Sequence, residues 1–431
     1  MKIPEILLVE SQHRPGSLAK VLAVIGEHGL VVQHLDAVAR FGNHTNWEIT
    51  LEFDEEVDHD VLDAIDALPN ARLLGRSDRV FTRHEGGKIY TAARSTVRSK
   101  QQLRDIYTPG VARVCLAIQK NPELAAKYTN RSQTVAIVTN GTAILGLGNI
   151  GAVAGLPVME GKAALMAQLA NLSGVPILIE GTDPKRIIEA VVAIAPSFGA
   201  IQLEDIAGPE CFEIEEALVE RLPIPVLHDD QHGTAVVTLA ALLVATARIG
   251  KDLGDCVVGQ IGLGAAGIGI ARLLTRFGVR RMLGSDLRED ALVRLDHYGG
   301  ERASLEELMQ QSDVVVATTG RRGLIKPEMV QRGQIILALS NPDAEIEPML
   351  ATNAGAAFAA DGQSVNNLLG YPGLFRGAID AGAKRFTDAM LIAAARAIAT
   401  LTPNDMLVPD PLDPMVHRAV AAAVAAAVRE A

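Results

Sequence analysis

The chain has 431 residues, 48% of them hydrophobic, and its 40 basic against 51 acidic side chains give a net charge of −11. This length favours two or three domains with ample apolar material for separate cores, and the acidic balance argues against a nucleic-acid partner. Cys115, Cys211 and Cys256 lie far apart with no CxxC pair, and the chain opens on a strand-like segment instead of a basic-then-apolar leader, so a reducing compartment, the cytoplasm, is expected. Residues 132–159 carry no charge, but Gly, Asn and Pro interrupt them repeatedly; they read as strands and turns, and no membrane span is expected.

From the N-terminus, residues 3–9 form an apolar run. The turn Arg14-Pro15-Gly16-Ser17 then starts a helix with Leu18, Val21, Leu22 and Ile25 on one face, stopped at His28-Gly29. Two strands, 30–39 and 45–53, join around Gly42-Asn43. Helical spacing returns over 57–68, and 70–81 reads as a last strand. The order is βαββαβ, the split βαβ layout of ferredoxin-like domains. Within it, residues 9–30 (VESQHRPGSLAKVLAVIGEHGL) resemble the ACT domain family. That resemblance implies a regulatory domain over 1–82. A small effector, an amino acid or other metabolite, would approach the bare backbone of Gly16, where the first strand meets the first helix. The alternative is that this domain only pairs with its twin in a dimer. Residues 82–88, with Gly86-Gly87, read as the linker.

The next stretch, 83–234, carries the chemistry. LRDIYTPG (103–110) ends a polar helix at Pro109-Gly110, with Tyr107 at the break; its hydroxyl faces a cleft or packs under a turn. Strand 134–138 leads to the glycine-rich 144–151 (ILGLGNIG), which lacks the Lys and Ser/Thr of a phosphate loop and so reads as close backbone packing. PVMEGKA (157–163) opens a helix whose Lys162 precedes an apolar segment. A lysine there is either a surface residue or a working one: beside a cation and with little water its pKa would fall, freeing an amine to act as a base. Two apolar runs then end in acid pairs. IQLEDI (201–206) delivers Glu204 and Asp205, and PVLHDDQHGTA (225–235) delivers Asp229 and Asp230. Acids at the ends of buried strands are costly unless compensated, and two such pairs suggest one hard divalent cation held by oxygen ligands.

Residues 235–247 read as an apolar helix. Strand 257–261 runs straight into Gly262-Leu-Gly264-Ala265-Ala266-Gly267, then a helix, then a strand ending near Asp286. In that context GxGxxG predicts a Rossmann-type domain over 235–431 with the pyrophosphate at a helix N-terminus. Asp286 on the adenosine ribose favours NAD, while the nearby Arg288 leaves NADP open. Thr318-Thr319-Gly320 and Ser340-Asn341-Pro342, at later strand ends, should face the cofactor. Asn366 and Asn367, in SVNNLLGYPGLFRG (364–377), suit a carboxylate or carboxamide, though turn chemistry alone also explains them. Two terminal helices, 385–401 and 413–429, are expected to pack without chemistry.

Taken in order, YTPG, PVMEGKA, LEDI, HDDQHGT, GLGAAG, SNP and VNNLLGYPG resemble the bacterial malic enzymes from about Gln101 to the C-terminus. The resemblance implies an α/β fold with a malic enzyme N-terminal domain before the NAD(P)-binding domain, and oxidative decarboxylation of L-malate to pyruvate and CO2. It implies Mg²⁺ or Mn²⁺ ligation by Glu204, Asp205 and Asp230, Lys162 as base with Asp229 beside it, and Tyr107 as the acid that protonates the enol carbon. Gly262, Gly264 and Gly267 would form the cofactor loop, and Asn341 and Asn367 the substrate-side and nicotinamide-side amides. A homodimer or dimer of dimers is the expected assembly. A malolactic-type decarboxylase and a non-catalytic dinucleotide sensor are the competing readings. The chain departs from the large eukaryotic-type pattern in having Thr142-Ala143 where an arginine holds a substrate carboxylate, and from the usual pattern in having Asn140 for Asp and a shorter 287–304 segment.

Overall fold

The computed structural model describes residues 3–53, 59–77, 79–144, 147–340, 344–362 and 365–430. The chain divides into two compact units, Met1–Lys88 and Ile89–Ala431.

In the first unit, strands β1 (Ile3–Gln12), β2 (Val31–Phe41), β3 (His44–Phe53) and β4 (Ala71–Arg76) form an antiparallel sheet in the order β2-β3-β1-β4. Helices Ser17–Glu27 and His59–Asp66 complete the βαββαβ sequence. Alternate residues Leu7, Val9, Ile49 and Leu51 point to one face, where Val21, Ile25, Val61 and Ile65 of the helices close a small core. The last strand is shorter than the 70–81 run predicts. The Ser77 hydroxyl accepts the Arg79 N–H at 3.3 Å, and a helix, Arg79–His84, begins there.

The second unit holds two parallel sheets. β5 (Thr134–Thr139), β6 (Ser173–Leu178), β7 (Ala200–Leu203) and β8 (Val226–His228) lie in the order β6-β5-β7-β8. β9 (Val257–Ile261), β10 (Arg281–Ser285), β11 (Glu301–Arg302), β12 (Val314–Ala317), β13 (Ile335–Ala338) and β14 (Phe358–Asp361) lie in the order β11-β10-β9-β12-β13-β14. Central strands such as β5, β9 and β12 are buried throughout, which explains the apolar and β-branched residues that dominate them, with Gln260 of β9 a buried polar exception. Among the described residues no helix is long and apolar enough to cross a membrane.

The glycine-rich segment after β5 packs backbone on backbone, as predicted: a Cβ on Gly141 would sit 2.3 Å from the Gly151 carbonyl carbon and oxygen. The terminal helices are Asp388–Thr400 and Pro414–Glu430. Helix Tyr371–Asp380 lies against the last one so closely that a Cβ on Gly377 would fall 2.4 Å from the Ala421 carbonyl oxygen and 2.7 Å from Val424 Cβ. Gly377→Val is therefore expected to destabilise the unit by about 1–3 kcal/mol through overpacking. A lowered midpoint in urea unfolding checks this; an unchanged midpoint contradicts the tight crossing.

Candidate active site

Every acid and the lysine singled out in the first parallel sheet come from its C-terminal edge, where ligands gather in open α/β sheets. Lys162 lies on helix Leu156–Ala170, which follows β5, starts with Pro157 in its first turn and stops at Asn171 in the left-handed region. Glu204 and Asp205 follow β7 directly. Asp229 and Asp230 follow β8, but as the first turn of a helix, Asp229–Arg248, that begins six residues earlier than the apolar run at 235 suggests. Two carboxylates at that N-terminus are favoured by the free backbone N–H groups there.

These groups converge. Lys162 Nζ is 2.5 Å from Asp229 Oδ2 and 2.9 Å from Glu204 Oε1, with Asp229 fully buried and Glu204 2% exposed. One oxygen each from Glu204, Asp205 and Asp230 lies within 4.8 Å of the others, the spacing of a metal-ligand set. The Asp205 backbone N–H donates to Asp230 Oδ2 at 2.9 Å. Asp205 adopts φ 53°, a conformation that Asp tolerates better than most residues and that marks a functionally constrained turn.

The electrostatics are lopsided. Four carboxylates (Glu204, Asp205, Asp229 and Asp230) cluster around one ammonium. Burial alone would lower the Lys162 pKa, but Asp229 and Glu204 outweigh it and hold the group well above its usual range. The fall expected beside a bound dication concerns a different state of the site: without a competing cation, the acids favour the charged lysine. Burial in turn pushes the Glu204 carboxyl well up, against the pull of Lys162, and raises Asp229 in the same way. The surplus of buried acid, with oxygen donors only, fits a hard divalent cation bound by Glu204, Asp205 and Asp230.

Other predicted residues separate into three groups. Asn367 joins the cluster, donating from Nδ2 to Asp229 Oδ2 at 3.0 Å. Gly262, Gly264, Asp286 and Thr318 line a cavity of about 460 Å³ at the C-terminal edge of the second sheet. There Ala265, Ala266 and Gly267 form the first turn of helix Ala265–Phe277, and a Cβ on Gly267 would lie 1.9 Å from the Gly262 carbonyl oxygen. Asp286 also braces the loop, accepting the Leu263 N–H at 2.7 Å. Tyr107 does not join the cluster in its own chain: it is 68% exposed at the end of helix Lys100–Ile106. Asn341 lies outside the described residues. Gly16 belongs to the first unit.

Asn140 has a clear part in the scaffold. Its Oδ1 accepts from the Thr142 N–H and hydroxyl, and Thr142 Oγ1 accepts the Ala207 N–H at 2.9 Å, lacing this loop to the turn that carries Asp205. Three residues that sequence reasoning missed complete the site. Tyr371, 1% exposed, places its ring 4.7 Å from Lys162 Nζ, a cation–π contact. Gln202 donates to Glu204 Oε2 at 2.6 Å. Glu215 accepts from the His228 N–H, from Gln231 Nε2 and from the His232 ring, clamping the turn of Asp229 and Asp230. Burial raises the Glu215 pKa less than His232, His228 and these hydrogen bonds lower it. The available signal was its position on the buried face of helix Glu210–Arg221, beside Cys211, Ile214 and Leu218.

NAD-dependent malic enzyme 1 of Bacillus subtilis (strain 168) is 54% identical over 421 residues, covering 97% of this chain and 96% of its own. The chain belongs to the malic enzyme family. Residues 86–184 match the malic enzyme N-terminal domain, and 352–431 the malic enzyme NAD binding domain. Residues 238–329, which include the glycine loop, match the NAD binding domain of D-isomer specific 2-hydroxyacid dehydrogenases. The NAD-dependent malic enzyme of Geobacillus stearothermophilus is 40% identical, covering 91% of this chain and 86% of its own. Among solved structures, the Thermotoga maritima NAD-dependent malic enzyme superposes with a TM-score of 0.76 at 37% identity, covering 81% of this chain and 99% of that one.

In this malic enzyme, Gly233 makes room for the buried Asp229 Oδ1, since a Cβ there would lie 1.9 Å from that oxygen. Gly233→Ala improves intrinsic helix propensity by about 1 kcal/mol yet must displace the carboxyl from Lys162. The expected result is a folded protein with at least about tenfold lower kcat, as a misplaced catalytic group costs. A wild-type kcat contradicts the packing described here.

Proposed function

We propose that the protein catalyses oxidative decarboxylation of L-malate to pyruvate and CO2, with NAD as hydride acceptor and Mg²⁺ or Mn²⁺ as the metal. The observation that carries this reading is Lys162 Nζ held between Asp229 and Glu204, beside the three-oxygen cluster. A dication held by Glu204, Asp205 and Asp230 would supply Lewis acidity toward the substrate oxygens, and a dinucleotide against Gly262, Gly264 and Thr318 would supply the hydride acceptor. Lys162 is the base. Its ammonium lies 2.5 Å from Asp229 Oδ2, the carboxylate placed to receive its proton once a dication competes for Glu204. The neutral amine then accepts the proton of the C2 hydroxyl. Asn367 steadies Asp229 and offers its amide to the substrate side. Tyr107 returns a proton to C3 of the enol. Asp286, at the end of β10, favours NAD over a cofactor with a 2′-phosphate. The names of the Bacillus and Geobacillus relatives support that preference.

Tyr107 performs its part in a homodimer. It sits in an arm whose helices, Lys100–Ile106, Val111–Lys120 and Leu124–Tyr128, bury no residue. Leu103, Ile106, Leu116 and Tyr128 of that arm are exposed with it, the pattern of a surface that a second subunit covers. Two inactive variants, Tyr107→Phe and Lys162→Ala, are expected to regain activity on mixing and subunit exchange, because each hybrid dimer has one complete site. Recovery should approach about a quarter of the wild-type rate for random pairing of a two-fold dimer. No recovery with proven exchange contradicts the shared site. In the same assay wild-type enzyme should release pyruvate and NADH in equal amounts; lactate without NADH would support a malolactic reaction instead.

The first unit is read as an ACT-like effector domain. Supporting this are its βαββαβ order and Gly16, which at φ 80° and with open space around its missing side chain offers bare backbone at the β1–helix junction. A small metabolite such as an amino acid is expected to change malate kinetics, and deleting residues 1–84 to abolish that response. The same response in the truncated enzyme contradicts the assignment.

A further inference from the structure

Glu345 is a fully buried carboxylate that the mechanism above does not use. Its Oε1 accepts three hydrogen bonds: from the Thr319 N–H at 2.6 Å, the Thr319 hydroxyl at 2.8 Å and the Ser340 hydroxyl at 2.6 Å. Ser340 Oγ in turn accepts the Gly320 N–H at 2.8 Å. Among the described residues no lysine or arginine pairs with Glu345, and its Oε2 is buried without a hydrogen-bond partner. A carboxylate buried among neutral donors is expensive, and bonds to an ionised acceptor are the strong ones. The fold concentrates that strength on a single turn, Thr318–Gly320, at the end of β12.

The turn is also fixed from its other side. A Cβ on Gly262 would fall 2.8 Å from the Thr318 carbonyl oxygen and 2.9 Å from Thr319 Cγ2, so the turn presses directly on the glycine loop. Beneath both lies Gln260, fully buried on β9, whose Nε2 donates to the Gly262 carbonyl at 3.0 Å and to Thr318 Oγ1 at 2.9 Å. Gly262, Gly264, Thr318 and Thr319 face the same cavity. The glycine loop and the Thr318–Gly320 turn are thus opposite walls of one groove, with Gln260 as the tie below and Glu345 as the brace behind.

We infer that Glu345 is a positioning residue for the dinucleotide: it holds the Thr318–Gly320 turn against the glycine loop and so sets the width of the cofactor groove. This rests on the reading that the cavity takes NAD. Without the carboxylate, the Thr319 N–H and two hydroxyls lose their common acceptor, and the turn is free to move from Gly262. The metal cluster, built on the other sheet, keeps its own supports in Gln202 and Glu215.

The test is calorimetric titration of NAD into the full-length enzyme, with Mn²⁺ binding followed by electron paramagnetic resonance on the same samples. Glu345→Ala is expected to weaken NAD binding about tenfold or more and to raise KM for NAD, while Mn²⁺ binding and KM for malate stay within about twofold. Glu345→Gln, which keeps an acceptor oxygen, should recover most of the loss. Ser340→Ala removes one strand of the brace without emptying a buried volume, and should weaken NAD alone by a smaller factor; it stands in if Glu345→Ala does not fold. Wild-type NAD affinity in Glu345→Ala, or an equal loss of NAD and Mn²⁺ binding in every variant, overturns the inference. Failure of NAD to bind the wild-type enzyme would instead overturn the reading of the cavity.

Discussion

The contact between Lys162 and Asp229, with Glu204 closing the other side of the ammonium, is the interaction on which the rest of the active site depends. Burying one such charge pair is costly and rarely adds stability. Here the cost is compounded, because Asp205 and Asp230 bring the local count to four acids against one base. A fold does not gather that much negative charge for packing. The arrangement suits an electrostatic trap for a divalent cation, with a lysine held 2.5 Å from a neighbouring carboxylate. The same imbalance explains why the lysine is held protonated by its surroundings. A dication competing for Glu204 would loosen one of the two carboxylates that hold it so.

The scaffold serves this cluster by simple means. Parallel strands β5, β7 and β8 lie side by side, so the residues that follow them emerge at one edge. Gly233 removes the side chain that would collide with Asp229. Asn140 and Thr142 tie the loop after β5 to the turn after β7, and Glu215 pins the turn after β8. Glu204, Asp229 and Asp230 are thus each held by a hydrogen bond, and Asp205 through the turn that carries it. The second sheet repeats the principle with Gln260 and Glu345 around the glycine loop.

Much of this was legible in the amino-acid sequence because it follows from local pattern. Apolar runs that end in acid pairs mark strand ends, and IQLEDI and PVLHDDQHG could be read as such without a partner in view. The GxGxxG loop was readable because its strand and helix flank it directly. The start of the Asp229–Arg248 helix is hidden from pattern, since its polar first turn precedes the apolar periodicity that signals a helix. Supporting residues were invisible for a different reason. Tyr371 reads as a core aromatic, and Glu215 and Glu345 as ordinary helix and loop acids, because their partners lie far away in sequence. The balance of burial against two carboxylates around the metal-free Lys162 is likewise not encoded by spacing along the chain. Tyr107 was found by motif, yet its exposure in the arm of its own chain is a fact of tertiary structure alone.

Glu204, Asp205 and Asp230 are proposed to hold one divalent ion together beside Lys162, and anomalous diffraction from crystals grown with Mn²⁺ would locate it. A single strong peak bonded to carboxylate oxygens of all three residues is expected, with its loss in an Asp230→Asn crystal under the same conditions. A peak bound elsewhere, or none at this cluster in the wild-type crystal, would contradict that proposal.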